Sequence, residues 1–279
     1  IAIELSDDWR NLDSQSIHYA VWIGHATYLM NNGDVTILAD PIFSERASPV
    51  AWAGPERLIP PAMTVDQLPS IDVVVISHNH YDHFDLPSLK ALQKNNPEML
   101  ILVPQGDKDL LDSQGLGNVS EFRWWQYILV KQTEFTFTPV QHWSGRGITG
   151  RNTSLWGGWF MKSPSLSLYH AGDTGYSKDF AMTRQRMGIP DVAFIPIGAY
   201  KPRWFMKNQH VNPAEAVQVA LDLQVPRSFG MHWGTFILTD EAIEEPRRVL
   251  AEELVARKLA ADFFVAPTPG TILPLLKNK

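Results

Sequence analysis

The chain has 279 residues, of which 44% are hydrophobic, so it can bury a sizeable core in one large domain or two small ones. Its formal net charge of −6 argues against nucleic-acid binding, because phosphate contacts need clustered lysine and arginine. The absence of cysteine excludes disulfides and thiolate ligands, so any metal must be held by histidine, aspartate or glutamate.

The sequence gives no sign of membrane insertion. No apolar run approaches the roughly 20 residues that span a bilayer. The first ten residues, IAIELSDDWR, lack the basic start and the apolar stretch of a signal peptide. We therefore expect neither a signal peptide nor a transmembrane segment, and we expect the protein in the cytoplasm or at the periphery of a membrane.

Short apolar runs recur along the chain, and most of them end in a polar residue. They are rich in β-branched and aromatic residues and are bounded by glycine and proline, which predicts strands. The predicted strands cover residues 35–41, 71–80, 99–104, 135–142, 166–173, 191–198 and 227–234.

Three helices are predicted, at residues 86–96, 212–223 and 240–259. The second is the clearest, because Asn212 is a good N-cap, Pro213 suits the first helical position and Glu215 lies at the third. The segment 43–70 is long, rich in proline and without periodicity, which is typical of a loop that covers a functional site. We predict one domain over residues 1–279, of the α/β class, with two sheets packed together, helices outside and ligands at the strand ends.

The stretch ISHNHYDHFD, residues 76–85, places three histidines and two aspartates within eight positions. His78 and His80 alternate at the end of a predicted strand, so both can face one metal. Asp82 and His83 follow the turn and can point to a neighbouring position. Each half-site is short of ligands, because a catalytic metal needs about three protein ligands and an open position for water.

Further donors are therefore expected at the ends of other strands. His142, Asp173 and His232 each close an apolar run. The glycines that flank Asp173 give the backbone freedom to present its carboxylate, which can bridge two cations. A lone buried histidine is more often a hydrogen-bonded core residue than a ligand, and we interpret His18 and His170 in that way.

Several segments of the chain resemble one known family. HNHYDH matches the H-x-H-x-D-H signature of the metallo-β-lactamase superfamily, and the later histidine, aspartate and histidine follow in its usual order. Together with this motif, DPIFSERASPVAWAGPERLIPP, QHWSGRG, LWGGWF, HAGDTGY, IPIGAYKPRWFMKNQHVNPAEAV and HWGTF resemble the N-acylphosphatidylethanolamine-hydrolysing phospholipase D family over residues 40–236. The resemblance implies a four-layer αββα sandwich with a dinuclear metal site at one edge.

The resemblance also implies a ligand set. It assigns His78, His80 and His142 to the first metal, Asp82, His83 and His232 to the second, and Asp173 to a bridge between them. It assigns substrate contact or proton donation to His210. We predict His210 and the two ligand carboxylates, Asp82 and Asp173, as the catalytic residues. The implied cofactors are two divalent metal ions, zinc in the first place, although iron and manganese also suit histidine and carboxylate ligands.

Three neighbouring residues allow two interpretations each. His210 either contacts the substrate or merely supports the turn before its helix. Asp40 either orients a ligand histidine or forms an ordinary Asp-Pro turn. His25, in WIGHATYLM, belongs either beside the ligands or in the core.

The surroundings of the motifs are rich in basic and aromatic side chains. Arginine suits phosphate, yet we expect most of these cations at the solvated surface and only one or two at the site; they are Arg46, Arg57, Arg146, Arg151, Lys201, Arg203 and Lys207. The apolar run RWFM, residues 203–206, suits either an acyl-chain groove or contact with lipid headgroups. Most of the ten tryptophans are expected in the core, and the others in a wall around the substrate.

Metal chemistry alone does not select the substrate. Two bound metals lower the pKa of a water and polarise the electrophile, which suits a phosphodiester, a lactone or an amide. The resemblance implies cleavage of N-acylphosphatidylethanolamine-like lipids to N-acylethanolamine and phosphatidate. The alternative is hydrolysis of a small soluble ester, either a lactone or a cyclic phosphodiester. A diiron redox module on the same scaffold is disfavoured, because such modules usually need a flavin-binding domain. The expected partner is thus a phospholipid or a small phosphodiester, with peripheral membrane contact in the first case.

Overall fold

Two seven-stranded sheets pack against each other in the computed structural model, which describes residues 18–147 and 150–275. The first sheet contains β1 (Tyr19–Gly24), β2 (Thr27–Asn31), β3 (Thr36–Ala39), β4 (Val73–Val75), β5 (Leu100–Pro104), β6 (Val119–Phe122) and β14 (Ile272–Pro274), in the order β14-β1-β2-β3-β4-β5-β6. The second contains β7 (Tyr127–Val130), β8 (Thr133–Thr138), β9 (Gly158–Lys162), β10 (Ser167–His170), β11 (Val192–Pro196), β12 (Ser228–Met231) and β13 (Phe264–Val265), in the order β13-β12-β11-β10-β9-β8-β7. The N-terminal segment for which we expect no signal peptide lies outside the described residues.

Helices cover the outer faces of both sheets. They are α1 (Leu86–Asn95), α2 (Lys108–Ser113), α3 (Asp179–Met187), α4 (Arg203–Met206), α5 (Pro213–Leu223) and α6 (Glu245–Ala256), with a 3₁₀ turn at Val65–Gln67. Helices α1 and α2 pack on the first sheet, and α3, α5 and α6 on the second. Within residues 18–147 and 150–275, none of these helices has the length and apolar character needed to cross a bilayer.

Strand β1 shows why the first sheet is buried on both faces. All six of its residues are buried, and successive side chains of a strand point to opposite faces. Tyr19 and Val21 pack in the cluster that contains Leu89 of α1, whereas Trp22 packs in the core between the sheets. The sequence of β1 is therefore apolar almost throughout, as expected for a strand covered on two sides.

The strand directions bring one end of each sheet to a common edge. Strands β3 to β6 are parallel, and β1 shares their direction because β2 is antiparallel to both β1 and β3. In the second sheet, β10 to β13 are parallel, and β8 shares their direction through β9. The backbone N–H of His232, after β12, donates to the carbonyl of His25, after β1, at 2.9 Å. Residues that follow β1, β3, β4, β8, β10 and β12 therefore meet at one edge of the sandwich.

The predicted elements are confirmed, with one correction. All seven predicted strands exist, and the helix predicted at 212–223 begins with a capping box in which Asn212 accepts from the Glu215 N–H at 2.9 Å. The helix predicted at 240–259 begins later, at Glu245, and ends at Ala256. The reason is Pro246, which is tolerated in the first turn but would lose a hydrogen bond and clash with a carbonyl inside a longer helix.

Candidate metal centre

Seven predicted donor side chains lie together at the edge where the strand ends converge. His78, His80, Asp82 and His83 follow β4, His142 follows β8, Asp173 follows β10, and His232 follows β12. Five of them are buried, and His80 and Asp82 are partly exposed. Because both sheets contribute, the site exists only when the two halves of the sandwich are packed together.

The first donor group consists of His78, His80 and His142. The Nδ1 atom of His80 lies 2.8 Å from Nε2 of His78 and 3.3 Å from Nε2 of His142. Nδ1 of His142 donates to the backbone carbonyl of Gln209 at 2.9 Å, and Nδ1 of His78 lies 2.9 Å from the Ser77 hydroxyl. The outer contacts of His78 and His142 leave a lone pair on their inner nitrogens, and these two nitrogens and Nδ1 of His80 lie close enough to hold one ion.

The second donor group consists of Asp82, His83 and His232. Oδ2 of Asp82 lies 3.2 Å from Nε2 of His232 and 3.5 Å from Nε2 of His83. Nδ1 of His83 donates to the Asp40 carboxylate at 2.8 Å, which turns the other ring nitrogen toward the group. Nε2 of His83 is buried and has no hydrogen-bond partner within the described chain.

Asp173 lies between the two groups. Its Oδ2 atom is 3.0 Å from Nε2 of His232 and 3.2 Å from Nε2 of His83. The same atom is 3.9 Å from Nε2 of both His78 and His142. Gly172 permits this position, because its φ is +62° and a Cβ there would lie 2.5 Å from the Ser77 side chain.

The geometry of the donors fits two divalent cations. In the second group and Asp173, the separations between donor atoms and Oδ2 of Asp173 or Asp82 run from 3.0 to 3.5 Å. Ligands about 2.0–2.1 Å from a tetrahedral ion are separated by about 3.3 Å. Oδ1 of Asp173 is buried without a hydrogen-bond partner among described atoms, a costly state for a carboxylate that a cation would relieve.

The electrostatics also favour cations. Burial lowers the pKa of His78 and His142, so both rings are neutral and can offer lone pairs. Burial would raise the pKa of Asp173, but the surrounding histidines, His232 and His83 foremost, hold that pKa well below its usual range. The pKa of Asp82 is likewise well below its usual range, because His83 and His232 outweigh the effect of burial. Two ionised carboxylates, the buried Asp173 and the partly exposed Asp82, thus lie among imidazoles, which suits divalent metal binding.

Comparison with known proteins identifies the family of this chain. A model of a β-lactamase superfamily domain matches residues 35–233. The N-acyl-phosphatidylethanolamine-hydrolyzing phospholipase D 1 of Caenorhabditis elegans is 40% identical, over 96% of this chain and 78% of its own length. The chain belongs to the phospholipase D family of these enzymes within the metallo-β-lactamase superfamily. The predicted family is therefore confirmed.

One further sequence relative and one solved structure show how much of the chain and of the fold is shared with known proteins. The mitochondrial N-acyl-phosphatidylethanolamine-hydrolyzing phospholipase D of Saccharomyces cerevisiae is 38% identical over 86% of this chain, which spans about half, 53%, of the yeast protein. The solved structure of a possible metal-dependent hydrolase from Veillonella parvula superposes with a TM-score of 0.75 at 18% identity, over 92% of this chain and 99% of that one. The predicted αββα sandwich is confirmed, and the protein is a metal-dependent hydrolase.

Asp40 contacts a donor histidine of this hydrolase, whereas His170 is hydrogen-bonded in the core. The Asp40 carboxylate is fully buried, accepts from the Ser77 N–H and hydroxyl at 2.7 Å each, and orients His83. An Asp-Pro turn alone would not need these contacts, so Asp40 is a support for a donor histidine. His170 is buried, and its Nε2 lies 3.3 Å from the Ala26 carbonyl, as expected for a hydrogen-bonded core residue.

A cavity of about 650 Å³ opens above the donors. Its walls include the partly exposed His80 and Asp82, and its apolar lining includes Phe205 and Leu238. His210 also lines it, with Nδ1 3.8 Å from Oδ2 of Asp173 and without a hydrogen-bond partner in the described structure. Burial lowers the pKa of His210 to about 4, so the ring is neutral near pH 7. The structure therefore places His210 at the centre but outside both donor groups.

Most of the basic residues singled out in the sequence contact glutamates or backbone carbonyls, and one of them lines the cavity. Arg46, Lys201 and Arg203 form ion pairs with Glu56, Glu245 and Glu215, and Arg57 and Arg146 donate to backbone carbonyls. Arg151 lines the cavity, and its guanidinium carbon lies 4.6 Å from the centre of the Trp143 ring. This agrees with the expectation that one or two of these cations reach the site.

The tryptophans take three environments. Of the nine tryptophans that the structure describes, only Trp22, Trp159 and Trp233 are buried in the core, so the prediction that most of them lie there is wrong. Trp143 lines the cavity and packs on the His80 ring at 4.2 Å. Trp204 is 86% exposed, which a core interpretation does not explain. Composition alone could not distinguish these cases, because each tryptophan has the same apolar surface and only the fold decides what covers it.

Proposed function

We propose that the protein is a dinuclear phosphodiesterase of the phospholipase D type. Its substrates would be N-acylphosphatidylethanolamine-like lipids, which it would cleave to N-acylethanolamine and phosphatidate. The observation that carries this proposal is the placement of two donor groups, joined by Asp173, beneath a cavity lined largely by apolar side chains. A small polar substrate would leave most of that lining without a partner, which disfavours a lactone or a cyclic phosphodiester.

The proposed ligand assignment follows the two groups. His78, His80 and His142 would hold the first metal, Asp82, His83 and His232 the second, and Asp173 both. When bound, two divalent metals supply an acidified water and neutralise charge on the phosphoryl oxygens. We propose zinc, and the donor set also suits iron or manganese.

Different side chains of the cavity would contact different parts of the lipid. His210, beside Asp173 and open to the cavity, would contact the phosphodiester through a ring N–H. Arg151, stacked on Trp143, would offer its free N–H groups to anionic oxygens of the lipid. Phe205 and Leu238 would contact the acyl chains and exclude water from the reacting phosphate.

We also propose peripheral contact with a membrane. Three large apolar side chains at the cavity lining or next to it in sequence are more than 60% exposed: Trp204 (86%), Phe205 (66%) and Ile237 (62%). Phe205 itself lines the cavity, and Ile237 precedes Leu238, which also lines it. An exposed tryptophan beside the cavity, such as Trp204, suits the interface between headgroups and acyl chains. A lipid could then enter the cavity without leaving the bilayer completely.

The test is an assay of purified, zinc-loaded protein on N-acylphosphatidylethanolamine in mixed micelles, in water enriched in ¹⁸O. We expect N-acylethanolamine and phosphatidate, with the label in the phosphatidate because water attacks phosphorus. The Asp173→Ala protein is the control and should leave the lipid intact. An untouched lipid, together with turnover of a lactone or a cyclic phosphodiester, would contradict the proposal and favour the small-substrate alternative.

A further inference from the structure

We infer that His25 is a positioning residue for the second donor group, holding the Asp82 carboxylate through a hydrogen bond from its Nε2–H. Nε2 of His25 lies 2.8 Å from Oδ2 of Asp82. The inference rests on the proposed dinuclear centre, and it adds a residue that the implied ligand set does not contain.

The Asp82 carboxylate needs such a partner. Its other close contacts are Nε2 of His232 at 3.2 Å and Nε2 of His83 at 3.5 Å, both within its own donor group. Those nitrogens would use their lone pairs for the metal and could not donate to the carboxylate. His25 is thus the one side chain outside the group, within the described chain, with a hydrogen bond to Asp82. Hydrogen bonds of this kind orient ligating carboxylates in metal sites.

The backbone of His25 is fixed on both sides. Its N–H donates to the Thr235 hydroxyl at 2.7 Å, and its carbonyl accepts from the Trp22 indole at 2.8 Å. The same carbonyl accepts from the backbone N–H of His232 at 2.9 Å. His25 therefore contacts two members of the second donor group, Asp82 through its ring and His232 through its backbone.

The conformation of His25 supports a dedicated role. Its φ is +52°, a left-handed conformation that non-glycine residues rarely adopt and that persists only where the surrounding structure enforces it. The ring is 1% exposed and lies 4.1 Å from the ring of His232 and 5.2 Å from that of Phe236. A role in packing would need only a ring of this size, whereas a positioning role needs a donor at the place of Nε2.

Three substitutions separate these roles. In His25→Gln the side-chain amide can reach the place of Nε2, in His25→Phe the ring remains without a donor, and in His25→Ala both are lost. Metal-free protein is titrated with Co²⁺ in competition with a chelator, and the visible spectrum reports the coordination of each ion. We expect the wild type to bind two ions. In His25→Ala and His25→Phe, the affinity for the second ion should fall about 10–100-fold, with the first unchanged.

His25→Gln should restore the second affinity to within a few-fold of the wild type. Urea unfolding of the metal-free variants shows whether each is folded, and the comparison of Gln with Phe still decides if His25→Ala does not fold. Equal second affinities in the Phe and Gln variants, or a wild-type value in all three, would overturn the positioning role. A wild type that binds fewer than two ions would overturn the dinuclear centre itself, which is a separate outcome.

Discussion

The first donor group is held by backbone and hydroxyl contacts, whereas the second is held by ionisable side chains. His142 and His78 contact the Gln209 carbonyl and the Ser77 hydroxyl, and His80 faces the cavity. By contrast, a buried Asp40 orients His83 and a buried His25 contacts Asp82. A carboxylate partner makes an imidazole a stronger ligand, so we expect the second group to bind its metal more tightly.

Strained backbone conformations at the centre occur in the second donor group and in the residues that support it. His25, Asp40 and His232 have left-handed φ values of +52°, +40° and +62°, and all three belong to the second group or support it. Such conformations persist only where the surrounding structure enforces them. The second group is therefore the preorganised half of the centre, although each group exposes one member to the cavity, His80 from the first and Asp82 from the second.

Removal of the bridge should erase the difference between the groups. Asp173→Ala removes the one oxygen that lies within 4 Å of Nε2 atoms in both groups, so we expect loss of both metals and more than about a 1,000-fold loss of activity. Metal content per chain, measured by elemental analysis, checks this. Full metal content in the variant would contradict the bridging assignment.

His210 tests the part of the centre that borders the cavity. His210→Ala should keep both metals, because the residue lies outside the donor groups, and should reduce kcat about 100-fold. Steady-state kinetics together with metal analysis measure the two effects separately. Loss of metal in parallel with activity would show that His210 is a ligand.

Asp40 offers a test on the preorganised side. Asp40→Asn keeps the shape but removes the charge that faces His83, so the second metal should bind about 10–100-fold more weakly. The first metal should be weakened less, because Asp40 reaches His78 only through the Ser77 hydroxyl; chelator competition can resolve the two affinities. Equal weakening of both metals would remove the distinction between the groups.

Arg151 should give the smallest effect. Arg151→Ala should raise KM for an anionic lipid about tenfold with kcat retained, because about 1.4 kcal/mol of substrate binding is lost without a change at the donors. Arg186→Ala is the matched control, since Arg186 lies 4.4 Å from the Trp125 ring in the same type of pair and is not among the residues that line this cavity. Equal KM changes in the two variants would show that Arg151 acts through general surface charge.

The sequence sufficed for the strands that carry the proposed donors, because short apolar runs ending in histidine or aspartate are local signals. Asp40 also closes an apolar run, but its role and that of His25 stayed open in the sequence, because Asp40 contacts His83 and His25 contacts Asp82 only after distant strands pair. Seven strands were not predicted: β1, β2, β6, β7, β9, β13 and β14. For the edge strands β6, β7, β13 and β14 the reason is that two to four residues carry too little periodicity. The start of α6 could be deduced from Pro246 alone, which a broader apolar pattern obscured.

Anomalous X-ray diffraction from crystals of zinc-loaded protein tests the central claim most directly. We predict two peaks about 3.5–4 Å apart, one on each side of the Asp173 carboxylate. The first should contact His78, His80 and His142, and the second Asp82, His83 and His232. A single peak, or a second peak remote from Asp82, His83 and His232, would contradict the dinuclear centre.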